Sequence, residues 1–267
     1  MYDGPVIDIH AHIALTPQDA MTPEHQIGVP GLVAAVRLDG VARAAAIVMA
    51  GRGEPACTSD RNDAVLAAAE GSDGFLVPVV SVHPHDADAA LTELDRVAGL
   101  GARIVKLHPN TQSFDVADDA VAAVTRRAGE RGMPVLFDAY NPLDADQPGK
   151  FIRLAVTSPE ATLILAHLNG PRFADLLAFE IAARYPWWPG NVYHDLSGTA
   201  EMFAGSPYAE QLRWVVRKLG TDRVLYGSDW PLCDPAAALA AVRQLGFTEA
   251  EERQIMYANA AGLLDHR

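Results

Sequence analysis

Two cysteines, Cys57 and Cys233, are all that the 267 residues contain. They cannot build a disulfide framework, which fits a reducing compartment and predicts a cytoplasmic protein. Positive charge is also scarce. Lys plus Arg number 21 against 34 Asp plus Glu, giving a formal net charge of −13 and a pI near 5.0. Nucleic acid and anionic membrane both require a basic face, so neither is expected as a partner. No uncharged apolar run reaches the roughly 20 residues that a spanning helix needs. The longest candidate, residues 31–50, is interrupted by Arg37, Asp39 and Arg43. The opening MYDGPVIDIHAH has neither a basic stretch nor a long apolar one, so no signal peptide is predicted. Low-complexity tracts and linker-like Ser/Gly/Pro stretches are missing, which predicts one domain over 1–267. No G-x-G-x-x-G follows the first apolar run, and that weighs against dinucleotide binding.

What is present is an alternation. Hydrophobic residues make up 49% of the chain, too many for a disordered one. Eight short, near-continuously apolar runs read as strands covered on both faces. They are Val6–His10, Ala45–Met49, Phe75–Val82, Arg103–Leu107, Pro134–Phe137, Thr162–Ala166, Asn191–Leu196 and Arg223–Tyr226. Between them lie segments with apolar residues three and four apart, clearest at Ala64–Glu70, Ala87–Leu100, Val116–Arg131, Ala174–Arg184 and Tyr208–Leu219. Gly40, Gly101, Gly132 and Gly220 stand where helices would stop. Eight β-then-α units predict an α/β fold, a (β/α)8 barrel, for which roughly 250 residues suffice. An open doubly wound sheet is the alternative that the same alternation permits. Thr248–Leu264 reads as extra C-terminal helix, opened by a capping-box spacing of Thr248 and Glu251.

The polar residues gather at the C-terminal ends of these strands, where a barrel carries its chemistry. The first strand ends Asp8-Ile9-His10-Ala11-His12; a two-residue period puts both histidines on one side, where they can share a metal ion. His83, His108 and His167 end three other strands, and Asp138 a fourth. Asp229 ends the eighth, within GSDWP; a carboxylate there must be paired, metal-bound or functional. Asp234-Pro235 is the better N-cap for the helix that follows, which leaves Asp229 free. His83, His108, Arg52, Arg172 and Trp230 are the candidate substrate contacts. The two arginines could instead pair with nearby carboxylates.

Taken in order, IDIHAH, VVSVHP, GARIVKLHPN, LILAHLNGP, VYHDLSG and RVLYGSDWP resemble the amidohydrolase superfamily, in the branch that includes aminocarboxymuconate semialdehyde decarboxylase. The resemblance spans nearly the whole chain. It implies a distorted TIM barrel with one divalent metal in its mouth. Carried over, His10 and His12 would be ligands, Asp229 a ligand and general base, and His167 a hydrogen-bonding partner of the water or substrate. One position departs from the family: PVLFDAYNP places Asp138 where a histidine ligand is usual. With Asp138 as a fourth ligand the donor set leans from zinc toward Mn or Mg. The other possibility is a metal-free site, as in the branch resembling 2-pyrone-4,6-dicarboxylate lactonase.

These readings predict a hydrolase of a small-molecule lactone, ester or amide, with water activated by metal and Asp229. A decarboxylase of an aromatic or enol carboxylate on the same site, or a catalytically silent barrel, are the competing readings. Lys106 is expected to pair with a carboxylate inside the barrel, and His85 and His194 to face solvent or bond to loops. Trp187-Trp188 reads as a packed loop or a homodimer contact.

Overall fold

The computed structural model describes residues 2–38 and 40–265; Asp39 lies outside them. Eight strands run parallel in one sheet in chain order. They are β1 (Val6–Asp8), β2 (Val41–Ile47), β3 (Leu76–Ser81), β4 (Ile104–Leu107), β5 (Val135–Phe137), β6 (Leu163–Leu165), β7 (Val192–Asp195) and β8 (Val224–Leu225). Each is followed by helix. α1 (Gly28–Val36), α2 (Pro55–Glu70) and α3 (Asp88–Gly99) follow the first three strands. α4 (Pro109–Gln112) and α5 (Asp119–Glu130) follow β4, and α6 (Gln147–Thr157) follows β5. α7 (Leu177–Ala182) comes after β6, and α8 (Thr199–Phe203) and α9 (Ala209–Leu219) after β7. α10 (Pro235–Gln244), α11 (Glu249–Arg253) and α12 (Asn259–Asp265) end the described chain. The TIM-barrel expectation holds, with the extra C-terminal helices.

The strands read as continuously apolar because both of their faces are buried. One face builds an inner cluster of Ile7, Ala45, Ile47, Val77, Val79, Ile104, Leu136, Ile164 and Leu225. The other packs against the helices, through Val80, Val105, Val135, Leu163 and Val192 among others. Ala260 and Leu264 of α12 join the inner cluster. Arg103 at the start of β4 and Arg43 in β2 hold this helix, donating to the Leu264 carbonyl and the Asp265 carboxylate. The C-terminal helix therefore covers the end of the barrel away from the histidines. Thr248 and Glu251 form the expected capping box, and Asp234 caps α10 by accepting from the Ala237 N–H at 2.8 Å.

Several strand bounds differ from the sequence expectation; β2 runs Val41–Ile47, four residues earlier at its start and two at its end. β1 stops at Asp8, not His10, because the Asp8 carboxylate accepts from the His10 and Ser228 N–H groups at 3.0 and 2.9 Å. This ends the ladder and turns the chain toward the mouth. β8 and β1 share no ladder among the described residues. The barrel is closed there by Ile9 N–H to Tyr226 O at 3.2 Å, Asp229 N–H to His10 O at 2.6 Å and His12 N–H to Trp230 O at 2.8 Å. Gly227 permits that approach, since a Cβ at this position would lie 2.6 Å from the His10 Cβ. No helix among the described residues is long and apolar enough to cross a membrane.

Candidate active site

Six strand ends, those of β1 and β4 to β8, converge on one buried cluster. His10 is fully buried, with Nδ1 3.0 Å from Asp195 Oδ2 and Nε2 3.4 Å from Asp229 Oδ1. His12 Nε2 lies 3.8 Å from the same Asp229 oxygen. Donor atoms of His10, His12 and Asp229 all lie within 4.8 Å of one another. Burial lowers the His10 pKa, helped by the Lys106 charge; burial and then the His10 and Lys106 charges push His12 down further. Both rings are therefore neutral imidazoles, the form that binds metal. Two buried neutral imidazoles and a carboxylate make a donor set that fits a divalent ion.

Asp195 was not singled out from the sequence, although it lies within VYHDLSG. Its second oxygen accepts the His167 and Ser197 N–H groups, each at 3.0 Å, and the Ser197 hydroxyl. Burial opposes ionisation, but the hydrogen bonds from His10 and Ser197 and the His167 charge outweigh it, so Asp195 stays ionised. It fixes His10 with Nδ1 as donor and leaves Nε2 to face the site, the orienting role that a carboxylate plays behind a ligating histidine.

Asp138 falls outside the His10–His12–Asp229 grouping. Its Oδ2 stands 3.2 Å from His167 Nε2 and 3.5 Å from His108 Nε2, while Oδ1 is buried with no hydrogen-bond partner. Asp138 thus stands between two histidines, with one oxygen to spare for an ion or a substrate. Burial disfavours a charged His167, but the Asp138 hydrogen bond and the Asp229, Asp138 and Asp195 charges win and raise it to about 9. His108, pushed down by burial to about 4, is neutral. His167 begins a run with left-handed backbone at His167, Leu168, Asn169 and Gly170, with φ of 64, 41, 58 and 53°. The Thr199 hydroxyl clamps the His167 carbonyl, and Ser197 Oγ lies 3.0 Å from its Nδ1. Such conformations persist only where the surroundings dictate them, and they cluster at functional sites.

Lys106 is buried at the centre, with Nζ 3.0 Å from His10 Nε2. The expected close carboxylate partner is replaced by a histidine. Burial lowers its pKa, opposed by the Asp138, Asp229 and Asp195 charges.

The remaining candidates separate. His83 is buried, with Nε2 against the Gln112 carbonyl at 2.8 Å and Nδ1 accepting from the His85 N–H at 3.2 Å. Both nitrogens hold loops, so none is left for a substrate. Arg172 pairs with Asp175 at 2.7 Å and donates to the Ala145 carbonyl, the second of its two readings. Arg52 is exposed. Trp230 acts through its backbone on His12, and its buried indole Nε1 has no hydrogen-bond partner. His85 bonds Asp118 at 2.9 Å, as a loop histidine should. His194, expected to face solvent or bond to a loop, is buried on β7 under Phe179.

A cavity of about 340 Å3 opens beside the cluster, touching His12 and His108. Its walls include Ile13, Leu15 and Met49, and its cation is Arg61 of α2, which the sequence did not flag. Arg61 is held loosely, at 3.3 Å from both Asp19 and the Met49 carbonyl.

The family model described as Amidohydrolase matches residues 7–265. Among solved structures, 2,6-dihydroxybenzoate decarboxylase from Rhizobium is 16% identical with a TM-score of 0.73, covering 98% of this chain and 99% of that one. A candidate 2-pyrone-4,6-dicarboxylic acid hydrolase from Pseudomonas putida is 20% identical, with a TM-score of 0.71 and coverage of 98% and 97%. The 5-carboxyvanillate decarboxylase of Novosphingobium aromaticivorans, solved with manganese, is 14% identical, with a TM-score of 0.75 and coverage of 98% and 96%. At these identities the likeness speaks for the fold. No curated protein sequence matches the chain.

Proposed function

The chain belongs to the amidohydrolase family, and we propose that it is a metal-dependent hydrolase of a small carboxylated lactone, ester or amide. The observation that carries this reading is the convergence of His10, His12 and Asp229 on one buried point. A divalent ion held there would supply Lewis acidity, polarising an oxygen and making a water easier to deprotonate.

The chain's own groups do the rest. Asp195 holds His10 in the right tautomer. Asp229 takes one proton from the attacking water as its oxygen bonds to the substrate carbonyl carbon. His167, protonated at neutral pH, gives the leaving oxygen or nitrogen its proton as that bond to carbon breaks. Asp138 holds the imidazolium until it is needed. The proton on Asp229 then restores His167, so one water is consumed and the protein is unchanged. The adjoining cavity suits a largely apolar body, and Arg61 suits a carboxylate at its far end.

The charged His167 also favours a second reading, non-oxidative decarboxylation, in which it would protonate carbon as carbon dioxide leaves. A screen of carboxylated lactones, esters and aromatic acids, with metal analysis and a chelator arm, tests both. Chelator-sensitive ring opening or ester cleavage supports the hydrolase. Release of carbon dioxide replaces it with the decarboxylase, and metal-free turnover overturns the metal. Arg61→Ala should raise KM about tenfold or more for acids and leave neutral analogues unaffected.

A further inference from the structure

A second cavity lies on the outer side of the barrel, between β7, α7 and α9, with a volume of about 230 Å3. Phe179, Trp188 and Leu219 give it apolar walls, and Lys218 and Arg223 stand at its rim. His194 lines it from β7. That side chain is 2% exposed, and its Nδ1 is buried with no hydrogen-bond partner. A buried polar atom left unpaired is costly, and the imidazole that carries this one lines the cavity, so a small shift of the ring would let a ligand complete it.

The charges around the cavity are unevenly paired. Glu180 is neutralised by Arg184, with contacts of 2.8 Å to both of its oxygens. Asp222 reaches Arg223 only at 3.6 Å, and Arg223 is stacked over the Tyr193 ring. Lys218 is in no ion pair among the described residues; its ammonium lies 5.5 Å from the Trp214 ring. The rim thus offers a cation that no carboxylate neutralises, held only by a weak contact to a neighbouring ring. The volume is below the roughly 300–1,000 Å3 of sites for drug-sized ligands, and it suits a single ring.

We propose that this cavity is a second ligand site, separate from the barrel mouth, for a small aromatic carboxylate. The ring packs on Phe179 and Trp188, the carboxylate meets Lys218, and a polar atom of the ligand takes up the His194 valence. His194 is followed directly by Asp195, the residue that orients His10, so an occupant here rests on the same strand as the active site.

Benzoate is the probe, titrated into the whole protein while tryptophan fluorescence is followed. The expected result is saturable quenching that is lost in Trp188→Phe. It should weaken about tenfold in Lys218→Met, whose side chain is exposed and whose loss should not disturb folding. His194→Leu should weaken it too, and Arg61→Ala should leave it unchanged. Quenching that is absent, that is unmoved by Lys218→Met, or that disappears in Arg61→Ala would overturn the proposal; in the last case benzoate is binding at the mouth. Because the readout is binding and not turnover, its failure leaves the hydrolase reading standing.

Discussion

Lys106 Nζ lies 3.0 Å from His10 Nε2, the ring nitrogen that also faces Asp229 Oδ1 at 3.4 Å. With Nδ1 donating to Asp195, Nε2 has a single lone pair, and the lysine and a metal ion compete for it. An internal ammonium and a divalent cation are alternative counter-ions for the Asp138, Asp195 and Asp229 carboxylates. Lys106→Met should therefore tighten metal binding, by about tenfold or more, since it removes both a competitor and a positive charge. Competition against a chromophoric chelator measures this; unchanged or weaker affinity would show that Lys106 does not oppose the ion.

Asp229→Asn tests the base. The backbone of Asp229, not its side chain, bonds to the His10 carbonyl, so the fold should persist and Tm should move little. Turnover of a confirmed substrate should fall by about 100- to 10,000-fold, the usual worth of a positioned acid or base. Wild-type kcat in this variant would remove Asp229 from the chemistry.

The Asp138–His167 pair makes a pH prediction for metal-stripped protein. His167 is raised to about 9 in the folded chain, against about 6.5 for an unperturbed histidine. The folded state holds this proton more tightly. The stability it contributes is full below about pH 6.5 and is lost as pH rises through about 9. The His167 ring signals in an NMR titration should move near that upper value, and in Asp138→Asn the midpoint should fall. A midpoint that stays put in Asp138→Asn would show that Asp138 does not hold the charge.

Gly227→Ala should damage the protein more than a surface change would. Its Cβ would lie 2.6 Å from that of His10, which cannot swing away. Overpacking of this kind costs about 1–3 kcal/mol, seen as a lower Tm together with weaker metal binding. Wild-type values for both would mean that the backbone yields more easily than its hydrogen bonds suggest.

The order of strands and helices was legible because strands covered on both faces leave continuous apolar runs that polar helix surfaces interrupt. α6 escaped notice because Pro148 and Gly149 mask its first turn. α1 was hidden in the same way, by Pro30 and Gly31. His10, His12, His167 and Asp229 could be singled out because ionisable residues at the ends of apolar strands are costly without a purpose. The contacts among them could not. That Asp195 orients His10, that Lys106 crosses the barrel to the same ring, and that Asp138 turns to two histidines depend on which strands face one another. Arg61 sits on a helix, where an arginine is ordinary, and only the loops around it make a cavity. His194 looked solvent-facing because a lone histidine in VYHD carries no sign of the helix that covers it.

The join between the first and last strands carries a consequence for how the protein is made. His10 and His12 leave the ribosome early, and Asp229 leaves it late. The bonds that hold these segments together, His12 to Trp230 and Asp229 to His10, are the ones that shut the barrel. A growing chain can stack its early βα units, yet it has no working site until the eighth strand is released. A nascent or truncated barrel ending before Gly227 would thus be inert. A centre assembled from both ends of a chain cannot act on the cell before its synthesis is nearly complete.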